Sequence, residues 1–116
     1  MRSSNKHSHL TPADELYYRT NSIILACAKR AIDAYGSGVL DVLLWDYEGR
    51  AGLSPLEIAR YPDEFVCSIR EVFGNASSIV EEKITSQICQ YFHFDIARIS
   101  GLAQTVRMAL SVLTRS

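Results

Sequence analysis

Apolar residues return every three to four positions along nearly the whole chain, the spacing that keeps one face of an α-helix buried. At about 100° per residue, Ile24, Ala28, Ala31 and Tyr35 share one face of a first helix, flanked by Cys27 and Ile32, with Lys29 and Asp33 opposite. Thr11, Pro12 and Asp14 mark its start and Gly36-Ser37-Gly38 its end, while Asn21-Ser22 signals a break or a fresh cap. No stretch alternates with the period of a strand, and all three prolines suit the first position of a helix. The pattern predicts an all-α compact bundle of five to six short helices. Residues 1–10 are polar and without periodicity, which predicts a disordered tail ahead of a single helical domain over 11–116.

The densest punctuation lies between Leu53 and Phe92. Ser54, Pro55 and Glu57 make a capping box for a short helix over 54–60, and Pro62 with Asp63 and Glu64 opens another. That helix buries Phe65, Ile69, Val72 and Phe73 and stops at Gly74, after which Asn75 is placed to cap the next. The following run to Tyr91 buries Val80, Ile84, Ile88 and Tyr91. Cys89 sits at the margin of that stripe as a packing residue, and His93 stands where the helix ends.

Two helices carry more apolar surface than one core face needs. From Gly38 to Ala51, Leu40, Leu43, Leu44, Tyr47 and Ala51 form one face, yet Val42 and Trp45 project from the other side along with Asp41. A helix apolar nearly all round is either central in its bundle or shared with a partner. In the last segment Ile99, Leu102, Val106, Ala109, Leu110 and Leu113 make a clean stripe that either folds back on the core or docks on another subunit. Val42, Trp45, Leu102, Val106, Leu110 and Leu113 are therefore the candidate interface residues.

Composition narrows the functional classes. With 47% hydrophobic and 22% charged residues and a formal net charge of -1, the chain reads as an ordinary soluble domain of 116 residues. It has no global positive field to draw nucleic acid, and its arginines are scattered, so a transcription-regulatory domain is the alternative reading and not the first. No apolar run is long enough to span a bilayer and no signal-peptide core is present, so a cytoplasmic protein without membrane contact is expected. Three cysteines without close pairing fit a reducing compartment.

Candidate chemistry is thin. His7 and His9 lack a third ligand, so no metal or other cofactor is expected. Cys67 near Arg70 has no base beside it in sequence, and the neighbours Asp63 with Glu64 and Glu81 with Glu82 diverge by about 100° around a helix, which suits dipole compensation better than acid-base work. The pattern predicts no enzyme, no catalytic residues, and a protein partner or self-association.

A resemblance rests on three blocks: Arg50-Ala51-Gly52-Leu53-Ser54-Pro55-Leu56-Glu57-Ile58, Tyr61-Pro62-Asp63-Glu64-Phe65 and Ile69-Arg70-Glu71-Val72-Phe73-Gly74. With Val39 to Trp45 ahead of them and Ile79-Val80-Glu81 behind, they resemble the thaumarchaeal output domain of Nitrosopumilus type, an all-helical archaeal module, over 38–94. The resemblance implies a role in signal-transduction output and no known activity. Gly49 and the apolar segment after Phe94 fall outside its pattern.

Overall fold

A computed structural model describes residues 12–115, the side chains of Ala13, Thr114 and Arg115 excepted. The expected N-terminal tail, with His7 and His9, lies outside the described residues. Those described are all-α: α1 Pro12–Ile32, α2 Val39–Ala51, α3 Pro62–Phe73, α4 Ser77–Phe92 and α5 Leu102–Arg115, joined by short 3-10 turns and without a strand.

Local chemistry accounts for most boundaries. Pro12 opens α1, with Asp14 and Glu15 in its first turn and Lys29 and Arg30 in its last, which matches the helix dipole at both ends. Neither the break nor the fresh cap that Asn21-Ser22 could signal occurs. Thr20 and Ser22 turn their hydroxyls back to the carbonyls of Leu16 and Tyr18, one turn earlier, and the helix runs on without interruption. α2 ends at Gly52, whose left-handed φ of 69° lets its N–H donate to the Glu48 carbonyl. α4 ends in a Schellman-type cap in which His93, at φ 62°, and Phe94 both donate their N–H to the Cys89 carbonyl.

Two expected features of the middle segment take a different form. Segment 54–60 holds a single 3-10 turn, Pro55–Glu57, not a helix, although the Ser54 hydroxyl does accept from the Leu56 N–H as its cap. The physical reason is a tertiary bond set. Fully buried Asn21 of α1 donates to the Pro55 carbonyl at 2.5 Å and accepts from the Ala59 N–H at 3.1 Å, so the turn's backbone is satisfied by another element. Nor does Asn75 cap α4; the 3-10 turn Gly74–Ala76 links α3 to α4 without a side-chain cap.

α1 and α4 form the centre, with α5 packed against α1, α3 and α4, and α2 lying mainly on α3. Ile24 and Ile32 of α1, Leu43 and Tyr47 of α2, Phe65 and Ile69 of α3, and Val80, Ile84 and Ile88 of α4 are fully buried together. Tyr35 and Tyr91, expected in the core, are exposed, and Val72 and Phe73 are only half-buried. For Tyr35 the cause is the turn to 3-10 geometry after Ile32, which rotates it off the α1 stripe.

Tyr47 makes the core sensitive to alkali. Its ring meets Phe65 edge-on at 6.2 Å, and burial, reinforced by the carboxylates of Glu57 and Glu64, pushes its phenol up to about 12. In the unfolded chain the same phenol titrates near its ordinary value of about 10. The folded state therefore keeps its full stability below pH ~10 and loses on the order of 2 kcal/mol as pH rises toward ~12, because the unfolded chain ionises first. Tyr47→Phe removes this contribution. Urea titrations at successive alkaline pH values should show the wild type losing stability faster than the variant, and parallel losses would contradict the assignment.

Candidate functional site

The outward face of α2 is built by a simple division of labour. Leu43 and Tyr47 point into the core and are fully buried, while Val42 and Trp45 point away from it. Trp45 is 78% exposed, the most exposed large hydrophobic side chain among the described residues, and Val42 is 51% exposed. The helix is thus not central, contrary to one expectation from its all-round apolar pattern; it lies at the edge of the bundle on α3. Trp45 and Val42 form a ridge between two shallow grooves. One, of about 500 Å³, is closed by Leu44, Asp41, Glu48 and Pro55. The other, of about 430 Å³, is closed by Asp46, Gly49, Arg50 and Val72.

Electrostatics set the sign of this face. Arg50 is consumed: it donates to the Glu64 carboxylate at 3.0 Å, to the Glu64 carbonyl at 2.6 Å and to the Ser68 hydroxyl at 2.9 Å, and lies 3.5 Å from Asp46. These bonds clamp α2 to α3. Asp41 and Glu48 have no ion-pair partner among the described residues. Four residues before Trp45 and three after it, they flank the indole on one side, while Val42 and Gly49 flank it on the other.

The last turn of α2 carries two residues that its own stability does not favour. Asp41 suits the positive end of the helix dipole, but Glu48 sits toward the negative end, where a carboxylate is repelled. Gly49 costs about 1 kcal/mol relative to alanine in a helix. No close approach within the fold calls for it, since a Cβ at that position would meet nothing within 4 Å.

The other candidate interface residues divide differently. Leu102 and Val106 are buried in the core at 2% and 0% exposure, and Leu110 and Leu113 are half-buried. The α5 stripe folds back in cis because α1, α3 and α4 together offer it a continuous apolar trough, so Leu102 and Val106 are withdrawn as partner contacts. Asp41 was expected on the same side of α2 as Val42 and Trp45, and stands there, whereas Glu48 and Val72 were not expected on that face. Gly49 stood out as a residue outside the family-like pattern. Also unforeseen is a groove of about 720 Å³ between α4 and the turn before α5, with Ile79, Ile96 and Ile99 on its walls among Glu82, Lys83 and Ser86.

The reactive side chains are dispersed. Cys27 and Cys89 are buried, which pushes both thiols above their ordinary range; at Cys27 nearby Arg30 opposes the rise, and at Cys89 Asp95 adds to it. Cys67 is exposed on α3. Asp63 pairs with Arg107, Glu64 with Arg50 and Glu81 with Arg70, so these carboxylates join helices to one another. No three metal-ligating side chains converge among the described residues. Fold and surface together define an all-helical domain whose most distinctive feature is an open aromatic ridge with one acidic flank. Comparison of the chain with protein-family models, curated proteins and solved structures finds no match.

Proposed function

We propose that this chain is a non-enzymatic helical interaction module that docks a protein partner through the Trp45 face of α2, in a regulatory or signal-output role in the cytoplasm. The observation that carries the reading is the 78% exposure of the single tryptophan, on a helix that already buries Leu43 and Tyr47 in the core. Tryptophan is enriched among the few residues that dominate binding energy, and leaving one in water forgoes a large burial gain that a partner restores. The regulatory role is proposed from the resemblance of residues 38–94 to the archaeal output domain alone, α2 falling inside that span. Against the nucleic-acid alternative stands the use of cations: Arg50, Arg60, Arg70, Arg98 and Arg107 are each paired with a carboxylate.

The test compares two surface variants of the full chain. Trp45→Ala should unfold at the wild-type temperature but lose the protein partners that the immobilised wild type retains, whereas Ile79→Ser, on the α4 groove, should keep them. Retention of the same partners by Trp45→Ala would overturn the proposal.

A further inference from the structure

Resting on that docking role, the chemistry of the face identifies its occupant. We propose that the Trp45 ridge binds a basic amphipathic helix of another protein, with two Lys or Arg side chains one heptad apart against Asp41 and Glu48 and its backbone close to Gly49. Three observations converge on this. Asp41 and Glu48 are seven residues apart, two helical turns or about 10 Å along the axis, and both lie on one side of the indole without an ion-pair partner among the described residues. Arg50, the one cation on α2, is held by Glu64, Ser68 and Asp46. On the opposite side of the indole Gly49 leaves the helix backbone bare beside Val42 and Val72, in a groove where no atom of this chain needs the space.

A small residue at a helix crossing lets backbones approach closely, and carboxylates beside an apolar ridge select cationic neighbours. Glu48 and Gly49, both unfavourable within α2, thereby acquire a common purpose. A second copy of this chain fits less well when the two helices cross antiparallel, because a two-fold contact through Trp45 then sets the acidic flank of each copy against that of the other. The acidic flank equally disfavours nucleic acid at this face.

The single tryptophan is its own reporter. Synthetic tryptophan-free helical peptides of Leu, Ala and Lys, with lysines seven residues apart along an alanine seam, are titrated into the full chain at low ionic strength, beside counterparts carrying Gln in place of Lys. The lysine peptide should give a saturable blue shift of emission. Its affinity should fall about tenfold or more for Asp41→Asn combined with Glu48→Gln, and by a similar factor for Gly49→Leu, with helix content unchanged in each variant. Equal binding of the Gln peptide would overturn the basic partner while leaving Trp45 as a docking face. Unaltered affinity in Gly49→Leu would overturn the close approach. A blue shift that follows the protein's own concentration would make a second copy the occupant, and no shift with any peptide would likewise overturn the proposal.

Discussion

A chain ending at Gly101 is expected to lose cooperative thermal unfolding and to bind hydrophobic dyes. The reason is the position of α5, which seals the core from one side: Leu102, Val106 and Ala109 are buried against α1, α3 and α4. Each fully buried aliphatic side chain contributes roughly 1.5–3 kcal/mol, and their removal also bares the residues they cover. The ion pair of Arg107 with Asp63 on α3 is lost with them. Set against a total stability of about 5–15 kcal/mol for a domain, the deficit is disabling. Circular dichroism through a thermal scan distinguishes the outcomes: a broad, non-cooperative decay is expected, and an unchanged sigmoidal transition would show that α5 is dispensable.

Asn21→Ala is expected to cost roughly 2–4 kcal/mol, more than any surface change considered above. Its amide joins the middle of α1 to a turn 34 to 38 residues away, donating to Pro55 and accepting from Ala59. Truncation leaves a buried N–H and a carbonyl without their partner, and each such group carries the cost of its own desolvation. Asn21→Leu fills the space yet restores neither bond, so it should also destabilise. Urea midpoints of the two variants check this, and a loss below about 1 kcal/mol in Asn21→Ala would mean that the turn finds other partners.

How much of this was legible in the chain follows from the range of the interactions. Pro12, Pro62, Gly52 and Gly74 act on neighbouring backbone, and the elements they delimit stand close to where the pattern predicted them. The stripes Ile24-Ala28-Ala31 and Val80-Ile84-Ile88 were readable for the same reason, since a helix has one period. A break or fresh cap at Asn21-Ser22 stayed open in the sequence because Asn21's partners lie on a distant segment, and the apparent capping box at Ser54 became a 3-10 turn held by that same asparagine. Periodicity could name two apolar faces on α2 and one on α5 but could not say which would find cover. Packing decided that: α5 met three helices and α2 mainly one, with a lighter contact on α1, which left Val42 and Trp45 outside and drew Leu102 and Val106 in. Asp41 and Glu48 carried no signal of their own, because exposed helical carboxylates are ordinary; their meaning depends on the indole between them and on Arg50 being otherwise engaged.

The docking face requires Trp45 to stand in water in the isolated chain. Iodide quenching and the emission maximum of this single tryptophan, recorded on the full chain over a range of concentrations, measure that directly. An indole fully accessible to iodide, with red-shifted emission that does not change with concentration, is the predicted result. A blue-shifted emission shielded from iodide at the lowest concentration would place Trp45 inside the fold and remove the docking face.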